Sequence, residues 1–127
     1  MMKSFLRFIS LLSILFATSA LAEPQTYSQS TFNKLNATGK PILVEVHADW
    51  CSTCRAQAYV TDALLNEAPY RNITALRVDF DNQKDIVRAL HVSIQSTLII
   101  FKNGKEIARS LGDTTHDGVE NLLKKAI

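Results

Sequence analysis

The stretch Ile42-Leu43-Val44-Glu45-Val46-His47-Ala48-Asp49-Trp50-Cys51-Ser52-Thr53-Cys54 decides the fold of this chain. Its nearly unbroken apolar start predicts a buried strand, and the Cys-x-x-Cys that follows is expected to open a helix. A helix N-terminus carries a partial positive charge and free N–H groups, so it favours a thiolate on Cys51. A strand that leads into such a helix is typical of reversible dithiol chemistry.

Cys51 and Cys54 are the only two cysteines among the 127 residues, and other interpretations of the pair exist. They could be inert, or they could form half of a zinc site. The zinc interpretation is weak because there is no second cysteine pair and the three histidines show no ligand spacing. The interpretation as a structural disulfide is weak too, because the short loop that a Cys51–Cys54 bond closes does little to constrain the unfolded chain. We therefore predict a redox-active dithiol with no bound metal and no cofactor.

The first 22 residues predict a secretory signal peptide. Lys3 and Arg7 form a short basic region, an apolar segment follows, and Ala20-Leu21-Ala22 matches a cleavage site. The apolar segment is short for a membrane span, which takes about 20 residues. We expect cleavage after Ala22, a location in the periplasm or outside the cell, and one domain over residues 23–127.

The composition of residues 23–127 suits one small hydrophobic core. Of the 14 Lys and Arg, Lys3 and Arg7 lie in the signal, whereas all 12 Asp and Glu follow it, so the remaining chain has a formal net charge of zero. This balance gives no electrostatic basis for binding nucleic acid or an anionic membrane. We expect a monomer.

The order of predicted elements gives the fold class. Strands and helices alternate in the first half, which implies parallel strands with right-handed crossovers. Asn103-Gly104 then predicts a hairpin. The result is an α/β fold with a mixed central sheet between helices, and Cys51 lies at the carboxyl end of a central strand. Helices are predicted at 27–37, 51–66, 81–90 and from 114 or 115 onward, and strands at 41–47, 73–80, 97–101 and 105–110.

The predicted domain resembles the thioredoxins over almost its whole length. The matching stretches are 42–54, Val78-Asp79-Phe80-Asp81, 97–104 and Gly112. The resemblance implies a thioredoxin-like fold and a thiol–disulfide oxidoreductase that acts on disulfide-containing proteins, with electrons from a partner such as a membrane thiol reductase. Lys40-Pro41 and 48–51 are also similar to the C-terminal domain of the DsbD-type transmembrane reductase, which favours a reductive role.

The resemblance also implies roles for individual residues. Cys51 would attack from an exposed first helical turn, and Cys54, one turn deeper, would resolve the mixed disulfide. Glu45 takes the place of a buried aspartate, where a raised pKa would let it act as a general base through water, unless it faces solvent. Arg77 is expected to pair with Glu45 or to be solvated. Trp50 is expected to pack beside the dithiol and shield it.

The chain departs from the thioredoxin pattern in three places. Ser96 stands where the family has a cis-proline, and because a cis bond without proline costs about 3–4 kcal/mol, we expect a trans bond there. Ser52-Thr53 between the cysteines includes no histidine, which argues against a strong oxidant. His47 replaces an aromatic residue and could stabilise the thiolate, bind a metal, or be a half-exposed strand residue.

These departures keep two other functions open. Without a proline ring over Cys51 and Cys54, a soft ion such as Cu(I) could reach the sulfurs, with His47 as a further ligand. The alternative function is therefore a periplasmic copper-type binding protein that uses the same cysteines. The third possibility is a binding module that kept the fold but not the redox activity.

Overall fold

The computed structural model describes residues 21–127. The predicted signal peptide, residues 1–22, lies outside the described residues except for Leu21 and Ala22, and it stays a prediction. No helix in the described part is long and apolar enough to cross a membrane.

Strands and helices alternate along residues 21–127 in the predicted order, with one extra strand at the start. Two short 3-10 helices, Ala68–Tyr70 and Lys124–Ala126, follow the second and the last helix. The elements are β1 (Gln25–Thr26), α1 (Gln29–Ala37), β2 (Ile42–His47), α2 (Ser52–Leu65), β3 (Thr74–Asp79), α3 (Lys84–Ala89), β4 (Thr97–Lys102), β5 (Lys105–Leu111) and α4 (His116–Leu123).

The five strands form one mixed sheet in the order β1-β3-β2-β4-β5. The strand β2 pairs in parallel with β3 and antiparallel with β4, and β4 pairs antiparallel with β5. The predicted α/β fold with a mixed sheet is therefore confirmed. β1 was not predicted, because its two residues carry no apolar alternation and it exists only through parallel pairing with β3.

The central strand β2 is covered on both faces, as its apolar sequence predicts. Leu43 packs in a cluster with residues of α2 and α4, including Leu64 and Leu123. Val44 packs on the opposite face with residues of α1 and α3, including Phe32. Because both faces are covered, β2 holds the segment that follows its carboxyl end in a fixed place.

Local hydrogen bonds determine where several helices start, and the start of one helix was predicted wrongly. The hydroxyls of Ser28 and Thr115 accept N–H groups at the starts of α1 and α4, from Thr31 and Gly118. The helix α3 was expected to be capped by Asp81 or Asn82, but its cap position is Gln83. The reason is a turn in which a carboxylate oxygen of Asp79 accepts the N–H groups of Asp81 and Asn82, at 2.9 and 3.1 Å.

The predicted hairpin at Asn103-Gly104 is present between β4 and β5. Both residues have positive φ, 52° and 78°, which is the backbone that a two-residue hairpin turn requires. The hairpin returns β5 along β4, so that Gly112 lies next to the loop before β4 and donates its N–H to the carbonyl of Ser96 at 2.9 Å.

Candidate active site

Cys51 caps the helix α2 with its own side chain. Its Sγ accepts the backbone N–H of Cys54 at 3.1 Å, and the Cys51 backbone is extended, as an N-cap requires. The sequence predicted an exposed first turn, but the Cys51 side chain is buried, with only 6% of the residue exposed. It is covered because Ala48, Cys54 and Phe80 pack around it.

Ser96 brings its hydroxyl to both sulfurs. The Ser96 Oγ lies 3.5 Å from the Sγ of Cys51 and 3.3 Å from the Sγ of Cys54. The peptide bond before Ser96 is trans, like the other described peptide bonds, which agrees with the expectation for a residue that is not proline. The loop that faces the dithiol is therefore built differently from one that contains a cis-proline.

The Ser96 backbone is held in a left-handed conformation, with φ at 64°. Such a conformation costs on the order of 1–3 kcal/mol for a residue other than glycine, so the surroundings must enforce it. The Ser96 N–H donates to the carbonyl of Val46 at 2.8 Å, and its carbonyl accepts the N–H of Gly112 and the side-chain amide of Gln57. These bonds link Ser96 to β2, α2 and the segment after β5.

Gln57 is a site residue that was not predicted from the sequence. Its side chain is buried, and its Nε2 donates to the carbonyls of Ser96 and Asp113 at 3.1 and 3.0 Å. It thereby ties the two loops beside the dithiol to one helix. The one available signal was its position three residues after Cys54, which places both side chains on one face of a helix.

The two thiols differ in acidity. Burial raises the pKa of Cys51, but hydrogen bonds from Cys54 and from the Ser96 hydroxyl outweigh burial, so the pKa of Cys51 lies below its ordinary value. Burial raises the pKa of Cys54, and its hydrogen bond with Cys51 raises it further. Cys51 is therefore the sulfur that ionises first.

Glu45 is buried on β2 and pairs with Arg77. Its Oε2 accepts from Nη2 and Nε of Arg77 at 2.9 and 3.2 Å. Burial raises the pKa of Glu45 and outweighs the nearby positive charge of Arg77. The sequence left open whether Glu45 faces inward or toward solvent, and in the structure its carboxyl group faces inward. In the described chain it makes no direct hydrogen bond to Cys51 or Cys54, and its role as a base through water stays a prediction.

His47 lies at the end of β2 but does not join the sulfurs. Its Nε2 is 3.2 Å from an oxygen of Asp49, and it lines a separate pocket that includes Asp79. Burial lowers the pKa of His47, and Arg77 lowers it further, so the neutral ring is favoured. Among residues 21–127, His47 and the two cysteines do not form a cluster of three metal ligands.

Trp50 does not occupy its predicted position. The residue is 63% exposed, and its Nε1 donates to a carboxylate oxygen of Asp81 at 2.6 Å. The ring that packs against the dithiol is that of Phe80. Trp50 follows the end of β2, where the chain turns outward before α2, so its side chain is held over the surface.

The arrangement can therefore carry out thiol–disulfide exchange. An acidic cysteine caps a helix, a less acidic cysteine lies one turn deeper, and a hydroxyl bridges them. The thiolate is the form of cysteine that attacks a disulfide.

Comparison with known proteins agrees with this chemistry. Residues 23–125 match the family model for thioredoxin. The thioredoxin of Chlamydia trachomatis is 37% identical over 101 residues, which cover 80% of this chain and 96% of that protein. Over an equal span, the thioredoxin of Chlamydia muridarum is 38% identical.

Solved structures give the same result. Trxlp from Edwardsiella tarda superposes with a TM-score of 0.77 at 37% identity, and the match covers 80% of this chain and 98% of that one. A thioredoxin from Malassezia sympodialis is similar in fold, with a TM-score of 0.73 at 20% identity over 83% of this chain and 91% of that one. The chain therefore belongs to the thioredoxin family and is a thiol–disulfide oxidoreductase.

Proposed function

We propose that this chain is an exported oxidoreductase that reduces or exchanges disulfides in proteins, with Cys51 as the attacking and Cys54 as the resolving thiol. The observation that carries the proposal is the difference between the two sulfurs. Cys51 Sγ accepts the N–H of Cys54 at the start of α2, and hydrogen bonds lower its pKa, whereas the pKa of Cys54 is raised.

The reaction has two exchange steps. The thiolate of Cys51 attacks one sulfur of the substrate disulfide, so the substrate S–S bond breaks, a mixed disulfide forms, and the other substrate sulfur leaves as a thiolate. Cys54 then loses its proton and attacks the Sγ of Cys51, which releases the second substrate sulfur. The substrate gains two electrons and two protons in total, and the protein ends with a Cys51–Cys54 disulfide.

Glu45 is proposed to assist the second step. Burial raises the pKa of Glu45, which makes its carboxylate a stronger base than an exposed one, and β2 runs directly into the segment that holds the cysteines. The proton of Cys54 would reach Glu45 through water, because no direct hydrogen bond joins the two side chains in the described chain.

Export is supported by the sequence of residues 1–22. The described chain is compatible with cleavage after Ala22, because residues 21–24 precede β1 outside any helix or strand. Outside the cytoplasm the protein would depend on a redox partner, such as a membrane thiol reductase, to return its disulfide to the dithiol. Cell fractionation with mass measurement of the exported protein tests this part: a mature chain that begins at Glu23 is expected, and an uncleaved cytoplasmic chain would contradict it.

Trapping of mixed disulfides tests the roles of the two cysteines. A Cys54→Ala variant cannot resolve and should accumulate disulfides that join Cys51 to protein partners, which non-reducing electrophoresis separates. A Cys51→Ala variant should trap few or none. If the second variant traps more partners than the first, the assignment of the attacking thiol is wrong.

The competing proposal, a soft-metal site, can be tested on the same protein. Cys51 and Cys54 would supply two ligands, but the expected third ligand, His47, contacts Asp49 instead. Metal analysis of the purified protein, followed by a Cu(I) titration against a chelator, should find no ion that the dithiol retains. Stoichiometric Cu(I) that survives the chelator, together with no reduction of a protein disulfide, would favour the metal proposal.

A further inference from the structure

We propose that the Ser96 hydroxyl donates a hydrogen bond to whichever sulfur of the dithiol carries the negative charge, first Cys51 and then Cys54. The inference rests on the proposed roles of these two cysteines. It adds a residue to the reaction at a position where the thioredoxin pattern has proline, which has no hydroxyl.

The position of the hydroxyl carries the inference. The Ser96 Oγ is 3.5 Å from one sulfur and 3.3 Å from the other, and Ser96 is buried, with 4% of the residue exposed. A serine hydroxyl has one donor hydrogen and two acceptor lone pairs, and the hydrogen turns freely about the Cβ–Oγ bond. The same oxygen can therefore serve either sulfur without movement of the backbone.

The backbone of Ser96 gives a second, independent observation. Its left-handed φ of 64° favours glycine, yet the residue is a serine. The other described residues with positive φ that are not glycine are His91 and Asn103, and both types enter this region more readily than serine does. Hydrogen bonds to Val46, Gly112 and Gln57 hold the conformation. A strained backbone that aims one hydroxyl at two sulfurs indicates a role for that hydroxyl.

The hydroxyl fits both steps of the exchange. In the reduced protein it donates to the Cys51 thiolate, to which the S–H of Cys54 also donates. Once Cys51 has formed the mixed disulfide, its sulfur is no longer charged. Cys54 then gives up its proton to solvent or to a base, and the Ser96 hydrogen turns toward the new thiolate. The hydroxyl keeps its own proton throughout, so Ser96 is a hydrogen-bond donor and not an acid.

The experiment compares Ser96→Ala with the wild-type protein. The substitution keeps the Cβ and the backbone and removes only Oγ. For reduced protein, the rate of alkylation of Cys51 is measured across the pH range. Because one hydrogen bond to a charged group changes an equilibrium by about tenfold or more, alkylation at mildly acidic pH should fall about tenfold. The plateau at basic pH should not fall, because the free thiolate is formed there in both proteins.

A second readout follows the resolving step. In a single turnover with a model protein disulfide, the mixed disulfide of Ser96→Ala should persist about tenfold longer, since the Cys54 thiolate loses the same donor. Ser96→Gly also removes the hydroxyl but relieves the positive φ. Its pH profile of Cys51 alkylation should be shifted as in Ser96→Ala, while its thermal stability should be unchanged or higher. A folding defect therefore cannot produce the result.

Thr97→Val is the matched control. It removes a buried hydroxyl in the adjacent position, which donates to the carbonyl of Ile94 at 2.7 Å. Its alkylation profile should match the wild type. If the alkylation profile of Ser96→Ala also matches that of the wild type, or if the profile of Thr97→Val is shifted equally, the inference is wrong. A displaced Ser96→Ala profile in a protein that reduces no protein disulfide would support the hydroxyl's role and contradict the proposed function instead.

Discussion

Replacement of Glu45 by glutamine should change how the stability of the protein depends on pH. Glu45 is 4% exposed, and burial raises the pKa of its carboxyl group despite the bond from Arg77. The folded protein therefore prefers the neutral carboxylic acid more than the unfolded chain does. Glutamine is neutral at every pH and has nearly the same shape. It can also accept one hydrogen bond from Arg77, so the substitution isolates the effect of the charge.

The sign and size of the effect follow from proton linkage. Because the folded pKa is raised, the stability that Glu45 contributes is fully present below its unfolded pKa of about 4.3 and is lost as pH rises through the folded pKa. Within that window the loss approaches about 1.4 kcal/mol per pH unit. The free energy of unfolding of Glu45→Gln, relative to the wild type, should therefore rise with pH above about 4.3 and level off once the folded carboxyl is ionised.

Urea denaturation at a series of pH values measures this difference directly. Glu67→Gln serves as the control because Glu67 is exposed, and a surface substitution should change the free energy of unfolding by less than about 0.5 kcal/mol. If the difference in the free energy of unfolding between Glu45→Gln and the wild type stays constant with pH, the reasoning is refuted. Such a result would mean that Arg77 compensates fully for burial of the charge, and the case for Glu45 as a base would fall with it.

Two further substitutions test the surroundings of the dithiol. Gln57→Leu should lower the free energy of unfolding by about 2 kcal/mol in urea denaturation, because it removes both hydrogen bonds that this buried side chain donates. Gln29→Leu on the exposed surface should change the free energy of unfolding little, and equal effects would contradict the bridging role of Gln57. Asp81→Asn should change the free energy of unfolding by less than about 0.5 kcal/mol. It should lower the fluorescence anisotropy of Trp50, the only tryptophan, because the hydrogen bond from Nε1 to residue 81 is weakened. An unchanged anisotropy would show that other contacts hold the ring.

Much of the fold could be predicted from the sequence because its signals are local. The apolar run of β2 and the Asn103-Gly104 turn each specify their structure within a few residues, and both are present. The strand β1 could not be predicted, because Gln25 and Thr26 pair only where β3 offers a free edge. The start of α3 was missed because a carboxylate oxygen of Asp79 accepts the N–H groups of Asp81 and Asn82, the two residues predicted as caps, and so holds both in a turn before the helix.

The site divides in the same way. The cysteines follow from their spacing, whereas the sequence left open whether Glu45 faces inward or toward solvent, and the structure shows it buried. Gln57 and the carbonyl of Ser96 are 39 residues apart in sequence, so no local pattern shows their hydrogen bond. The burial of Cys51 depends on Phe80, which comes from the end of another strand. Contacts of this kind arise only when distant segments meet in the sheet.

The cap that Cys51 provides for α2 has an electrical consequence. The sulfur accepts the N–H of Cys54 most strongly as a thiolate, and it loses its charge when it enters a disulfide. A side-chain cap contributes about 1 kcal/mol to a helix. Because about 1.4 kcal/mol corresponds to 30 mV for a two-electron couple, this cap alone would raise the midpoint potential by about 20 mV. The first turn of α2 therefore contributes to the voltage at which the protein gives up its electrons.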